Sequence, residues 1–165
     1  MRAISWMALL GTVSTLVVVP QAHADVDVAI NGGYQVVSNG DWARTNEVFM
    51  DEKVVISTWS VNSSCADPQT CTGTVSSDQG WTAPLTYRAG RWIVDRTIDN
   101  WEPCPDGTSS PGRQHFQFYG TDANGQVDRT NKTTLQGYER TIGVSGACGI
   151  NNPLVIQMPL TLHKL

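Results

Sequence analysis

Residues 154–163 read Leu-Val-Ile-Gln-Met-Pro-Leu-Thr-Leu-His, and apolar residues occupy every second position. Successive side chains of a β-strand point to opposite sides, so this alternation predicts a strand with one buried face. That face consists of Leu154, Ile156, Met158, Leu160 and Leu162. Because Pro159 has no N–H to donate to a neighbouring strand, we expect an edge strand or a bulge at this position.

The same two-residue period recurs upstream in short segments that are separated by turn residues. Further strands are predicted at residues 33–37, 53–61, 72–77, 82–88, 91–98, 114–119 and 126–130. Ala89-Gly90 is a two-residue hairpin turn between two of these strands, and residues 122–125 join the last two. After residue 24, no stretch of twelve residues combines helical apolar spacing with freedom from Gly and Pro.

About eight short strands joined mostly by hairpin-sized loops indicate an all-β fold in which neighbours in sequence are neighbours in space. We therefore expect an antiparallel meander that forms a small β-barrel, closed or partly open. A two-sheet β-sandwich is the alternative.

The N-terminal segment has the pattern of a secretory signal peptide. Arg2 precedes an apolar run that ends at Val19, and Ala22-His23-Ala24 provides small residues two apart before a polar chain. Cleavage after Ala24 would leave a single domain of residues 25–165. The run from Ile4 to Val19 is 16 residues long, whereas a membrane span needs about 20. We expect a secreted product, extracellular or associated with the cell envelope, with no stable membrane span after cleavage.

Four cysteines lie in the predicted mature chain, an even number in an oxidising compartment, which indicates two disulfides. Three connectivities are possible, and we expect a local pair, Cys65 with Cys71, and a long pair, Cys104 with Cys148. Structural zinc sites usually take ligands two to four residues apart, and no cysteine pair has that spacing. No metal site is predicted.

Charge and side-chain inventory argue against several classes of function. Lys and Arg number 11 against 15 Asp and Glu, a net charge of −4, which disfavours a protein that binds nucleic acid by neutralising phosphates. After residue 24 the only histidines are His115 and His163, and no Gly-x-Ser-x-Gly motif occurs. We therefore expect no enzyme activity, no catalytic residues and no cofactor. A less favoured alternative is a glycan hydrolase, in which Asp95 or Asp99 would lie about 5–9.5 Å from a second carboxylate.

The tryptophans supply the candidate binding residues. Trp59 and Trp92 fall inside predicted strands and are expected in the core, whereas Trp42, Trp81 and Trp101 follow turn residues. Exposed aromatic rings suit sugar stacking or a protein hot spot, although such rings can also plug the end of a barrel. Residues 101–113 are expected to form the longest loop. The binding residues predicted from these observations are Trp42, Trp81, Trp101 and Asp106.

Several short strings, spread over nearly all the mature chain, are specific as a set. They are residues 59–65 (WSVNSSC), 71–73 (CTG), 77–81 (SDQGW), 101–107 (WEPCPDG) and 145–149 (SGACG), together with the leader that ends in Ala22-His23-Ala24. With these strings the chain resembles a family of small secreted proteins of mycobacteria and related actinobacteria. The resemblance implies export across an actinobacterial envelope, and it implies no activity, cofactor or catalytic residue.

These observations favour a non-catalytic exported β domain that binds an envelope or host partner through loops at one end of the barrel. The partner would be a protein, a glycan or a lipid. The alternative is a carrier of a small apolar ligand inside the barrel. An internal apolar cavity larger than about 300 Å³ would favour that alternative.

Overall fold

A computed structural model describes residues 27–165, in which a single antiparallel sheet closes on itself. The long strands follow each other in the order β1, β4, β5, β6, β7, β8, β9, β10, and β10 pairs back with β1. The architecture is therefore a closed eight-stranded barrel and not a sandwich. The strands are β1 (Gly32–Ser38), β2 (Arg44–Thr45), β3 (Val48–Phe49), β4 (Val55–Asp67), β5 (Thr70–Ser77), β6 (Trp81–Arg88), β7 (Arg91–Pro103), β8 (Ser109–Gly120), β9 (Thr134–Gly143) and β10 (Val155–Lys164).

A short hairpin and two 3₁₀ turns complete the described chain. The strands β2 and β3 form a small hairpin that pairs with β10 at Ile156 and Gln157, outside the closed barrel. Helical structure in residues 27–165 is limited to two 3₁₀ turns, Gly40–Trp42 and Ala147–Gly149. None of these residues forms a helix of the length and apolar character that a membrane crossing needs. The predicted signal peptide, residues 1–24, lies outside the described residues.

The predicted strand at residues 126–130 is wrong. Only Val127 of that segment pairs, in an isolated bridge with Thr121, and the strand that returns along β8 is β9. The intervening chain turns because side-chain oxygens accept hydrogen bonds from nearby backbone N–H groups. The Asp128 carboxylate accepts from the N–H of Thr130, and the Asn131 side chain accepts from the N–H of Thr133. These local bonds compete with a sheet ladder and delay the next strand until Thr134.

The expected long loop at residues 101–113 is also wrong. The strand β7 continues to Pro103 and β8 begins at Ser109, which leaves residues 104–108 as the connection. The pairing shifts register between Ile98 and Glu102, so a bulge lies in the extended part of β7.

The strand β10 is not an edge strand, and its pairing with β9 runs without a register shift from Val155 to His163. On its other side, β10 pairs with β1 from Leu160 onwards and with β2 at Ile156 and Gln157. Pro159 lies in the gap between these two partners, where its carbonyl accepts a hydrogen bond from the N–H of Asn39 at 2.9 Å. A central strand can therefore contain this proline, because the missing N–H falls where no ladder bond is needed.

One half of the barrel is filled by apolar side chains. The inward positions there include Tyr34, Val75, Leu85, Phe118, Leu135 and Leu162, all fully buried. Trp59 and Trp92 belong to this core, as predicted. The segment before β1 closes the same end: Ile30 is buried, its N–H donates to Ser63 Oγ, and the Ser63 hydroxyl donates to the Ile30 carbonyl.

Both predicted disulfides are present. Cys65–Cys71 joins β4 to β5 beside their hairpin turn. Cys104–Cys148 joins the β7–β8 connection to the 3₁₀ turn at residues 147–149, which precedes β10. The described residues contain no free cysteine.

Candidate functional site

A cavity of about 340 Å³ occupies the half of the barrel opposite the closed end. It lies where β1 finishes and β4 begins, and strands from around the barrel contribute inward side chains to its wall. Part of that wall is apolar. The apolar lining includes Val36, Val55, Trp59, Trp81, Phe116 and Met158.

The polar part of the wall is a chain of side chains that crosses the interior. Glu139 accepts hydrogen bonds at both carboxyl oxygens, from the Ser38 hydroxyl and from Gln114 Nε2, the latter at 3.3 Å. Gln114 Oε1 in turn accepts from Arg96 Nε at 2.6 Å. Arg96 and Gln114 are direct register partners on β7 and β8, so the pairing of the strands itself brings them together.

Glu139 is the most deeply buried acid among residues 27–165, with 5% of its surface exposed. Burial raises the pKa of its carboxyl, and the opposing effects of the Ser38 and Gln114 hydrogen bonds and of the Arg96 charge are smaller. Each of its two oxygens accepts one hydrogen bond from the protein, so this carboxyl is held in place as part of the cavity wall.

Two cations line the cavity, the exposed Lys53 and the half-buried Arg96. The guanidinium of Arg96 lies over the Trp81 ring, 4.4 Å from the ring centroid. Burial lowers the pKa of Arg96, with the negative charge of Glu139 acting in the opposite direction. An arginine nevertheless stays protonated in proteins. Within residues 27–165 it donates one side-chain hydrogen bond, through Nε, and no carboxylate lies within 4 Å of it.

Aromatic rings form the floor between the cavity and the core. Trp59 makes edge-to-face contacts with Trp81 and Phe116, at centroid distances of 5.3 and 5.0 Å, and Trp81 stacks on Phe116 at 5.9 Å. The indole N–H groups of Trp59 and Trp81 are buried and find no acceptor among the described residues. The floor is thus rigid and rich in aromatic surface.

Trp101 lies at the mouth of the cavity, on the bulged part of β7. Its position depends on Gly112 in the paired strand, since a Cβ at Gly112 would lie 2.6 Å from a carbon of the indole ring. The preceding Asn100 has a left-handed backbone with φ of 39°, which turns the strand at this point. The Cys104–Cys148 disulfide anchors the chain three residues beyond Trp101.

The structure brings together two of the four predicted binding residues. Trp81 and Trp101 both line the cavity. Trp42 lies outside the barrel on the 3₁₀ turn that precedes β2, where it is 63% exposed and contacts Phe49. Asp106 lies in the β7–β8 connection, and its carboxylate accepts hydrogen bonds from the Thr108 hydroxyl and N–H, which lower the pKa of Asp106.

Sequence reasoning missed the polar chain of the cavity. Its signal is an interruption of the apolar alternation: Trp92 and Val94 point inward, and the next inward position is Arg96. Gln114 precedes Phe116 in the same way on β8. A polar residue in phase with buried neighbours indicates a polar interior, and two adjacent strands carry that pattern at the same level.

The carboxylates that a hydrolase would need are placed differently from the expectation. Asp95 is on the outer face of the barrel, where its carboxylate lies 2.7 Å from His115 Nδ1 and its side chain is 69% exposed. Asp99 is exposed as well, and the two acids that line the cavity are Glu52 and Glu139. In the described part of the chain, no group of three or more His, Cys, Asp or Glu is arranged to hold a metal ion.

Comparisons with known proteins show similarity at the level of the fold. No family model and no curated protein matches the sequence. The fold is similar to a solved structure described as the monomer form of the M. tuberculosis PknI sensor domain, with a TM-score of 0.55 and 12% sequence identity. The match covers 82% of this chain and 87% of that chain. At this level of identity the similarity shows a shared fold.

Proposed function

We propose that this protein is an exported, non-catalytic β-barrel that binds a small molecule in the cavity at its open half. The observation that carries this proposal is the cavity itself. Its volume of about 340 Å³ lies within the range of about 300–1,000 Å³ that is usual for ligand pockets. The lining is both apolar and polar, which suits an amphipathic molecule better than the purely apolar cargo of a carrier.

The arrangement of titratable groups supports binding without turnover. Both oxygens of Glu139 are occupied by donors from the protein, so this carboxyl is positioned as part of the wall. His115 is bonded to Asp95 on the outer face, and His163 is exposed at the opposite end of β10. General acid–base catalysis needs a titratable group within hydrogen-bond reach of the substrate, and neither histidine lines the cavity. The other acid of the lining, Glu52, accepts a hydrogen bond from the Thr45 hydroxyl.

The setting of the domain supports the same proposal. Two disulfides are typical of an oxidising compartment and agree with the predicted signal peptide. The similar solved structure is named a sensor domain, and a barrel with a solid half and an open half is a suitable framework for detecting a ligand. Export and ligand detection are parts of the proposal.

The test compares cavity-filling and matched surface variants of the full-length chain. Val55 lines the cavity mouth, whereas the next residue, Ile56, points outward and is exposed. We expect the exported wild-type protein, purified without denaturation, to carry a small molecule that is visible by native mass spectrometry. V55W should lose that molecule, and I56W should retain it. Equal retention by both variants would contradict binding in the cavity, as would a wild-type protein that carries nothing and gains no thermal stability from added small molecules.

A second candidate function is partner binding through the β2–β3 hairpin. Apolar side chains cluster there on the outer surface, and all are more than half exposed: Trp42, Val48, Phe49 and Met50. Arg44 lies over the Phe49 ring at 4.5 Å and holds it in place. Exposed aromatic and basic side chains of this kind are typical of protein interfaces.

The two candidate functions can be separated by one pair of variants. If the hairpin binds a partner, F49S should abolish retention of a defined envelope protein by the immobilised domain, while V55W should leave it intact. Loss of retention in V55W but not in F49S would instead assign the interaction to the cavity mouth. Retention that survives both substitutions would exclude the hairpin.

A further inference from the structure

We propose that the ligand of the cavity is a compact monocarboxylate with an aromatic or apolar body, and that its carboxylate pairs with Arg96. This inference rests on the proposed ligand-binding function and names the chemical class of the ligand. It follows from three properties of Arg96 in the cavity wall: its unused hydrogen-bond donors, its lack of an ion-pair partner, and the aromatic side chains around it.

The largest unused hydrogen-bonding capacity of a single side chain in the wall is that of Arg96. Its guanidinium has five N–H donors, of which the protein engages only that on Nε, in the bond to Gln114 Oε1. The nearby carboxyl of Glu139 is held by Ser38 and Gln114 and does not bond to Arg96. A ligand that pairs with Arg96 must therefore bring acceptor atoms. A carboxylate offers two oxygens in the planar geometry that a guanidinium matches.

The charge without an ion-pair partner is that of Arg96, since no carboxylate among residues 27–165 lies within 4 Å of its guanidinium. The other cation of the lining, Lys53, is exposed and follows Glu52 directly in the chain. A singly charged anion matches this one unpaired guanidinium. A phosphate monoester, with a charge of about −1.5 to −2 at neutral pH, would remain partly uncompensated.

The surroundings of Arg96 define the rest of the ligand. The guanidinium is stacked on Trp81, and the cavity continues over Phe116 and Trp59. These rings offer flat apolar surface next to the cation, so a ligand with its carboxylate on Arg96 would lay its body on aromatic faces. A cavity of about 340 Å³ is at the lower end of the usual range for ligand sites, which favours a compact body over a long acyl chain.

The experiment uses three probes of one shape and different charge: 3-phenylpropionate, 3-phenylpropanamide and 3-phenylpropylamine. Binding to the wild-type protein is measured by isothermal titration calorimetry. We expect the acid to bind at least tenfold more tightly than the amide, because hydrogen bonds to charged partners are stronger than those between neutral groups. The amine should bind most weakly.

Substitution of Arg96 tests whether this residue binds the carboxylate of the ligand. R96Q should weaken binding of the acid at least tenfold and change binding of the amide less than threefold. R96K keeps the charge and loses the planar fork, so its affinity for the acid should fall between those of wild type and R96Q. The matched control is R113Q, because Arg113 is exposed on the outer face of β8, where it pairs with Thr97. This control should bind all three probes as wild type does.

The possible outcomes separate the two proposals. Equal binding of acid and amide, both blocked by V55W, would overturn the carboxylate assignment and leave the cavity as a ligand site. Tighter binding of the amine would overturn the carboxylate assignment and indicate that an acidic side chain of the cavity binds the ligand. Absence of binding by all three probes would overturn the carboxylate assignment, whereas the proposed ligand-binding function is judged separately by the comparison of V55W with I56W. If R96Q proves unstable by circular dichroism, the ratio of acid to amide affinity in wild type and R96K still decides the question.

Discussion

Removal of the Cys104–Cys148 disulfide is expected to cost about 4 kcal/mol of folding stability. The two cysteines are 44 positions apart, so the bond closes a loop of about 45 residues that contains all of β8 and β9. In the chain-entropy relation, a cross-link of this length removes about 13 cal/mol/K of entropy from the unfolded chain, which corresponds to about 4 kcal/mol at 25 °C. Both cysteines are only half-buried, so the loss of packing adds little.

The measurement is equilibrium unfolding in guanidinium chloride, followed by tryptophan fluorescence, of the oxidised wild-type protein and C104A/C148A. Besides the lower free energy of unfolding, the dependence on denaturant should become steeper, because the unfolded chain without the cross-link exposes more surface. Either single substitution, C104A or C148A, should lose about as much as the pair, since each one breaks the bond. A loss below about 1 kcal/mol would refute the reasoning and show that the segment around these cysteines is already constrained without the bridge.

Two further predictions concern the cavity wall. Burial raises the pKa of Glu139 above its ordinary value of 4.5, so ionisation favours the unfolded chain and the contribution of Glu139 to stability falls as the pH rises above 4.5. E139Q should therefore gain stability relative to wild type when the pH is raised from 4 to 7. Thermal unfolding of both proteins at both pH values measures this change, and a difference that does not depend on pH would contradict the interpretation. The second prediction is that G112A displaces Trp101, since the added Cβ would lie 2.6 Å from the ring. Quenching by acrylamide should increase in G112A but not when Trp101 is also replaced by Phe, and unchanged quenching would contradict the packing described.

The sequence allowed the barrel to be predicted because most of its strands bury one continuous apolar face. Residues 154–163 alternate without interruption, and the observed β10 follows that pattern closely. The strand β9 escaped detection for a physical reason: its inward positions include Gly137, Glu139 and Thr141, which carry no hydrophobic signal. Glu139 and Thr141 line the cavity. The strand that supplies the buried acid of the polar chain is therefore the one that hydrophobic periodicity cannot find.

The candidate site was only partly predictable, since its members become neighbours through strand pairing. Trp81 and Trp101 were predicted because each follows turn residues and could project from one end of the barrel. Arg96 and Glu139 lie 43 positions apart, and Gln114 connects them only when β7, β8 and β9 are in register. A charged residue in one strand gives no indication of which distant strand will supply its partner.

The pairing of β1 with β10 has a consequence for how the domain is made. Tyr34 and Lys164 are register partners, so the barrel wall stays incomplete until nearly every described residue has been synthesised and can reach the first strand. Contacts between such distant parts of a chain form slowly, because a large loop must close first. A chain that cannot close its wall early remains open during synthesis, which is compatible with the export that we propose. Under that proposal the cavity would form only after export, in the compartment where the disulfides form.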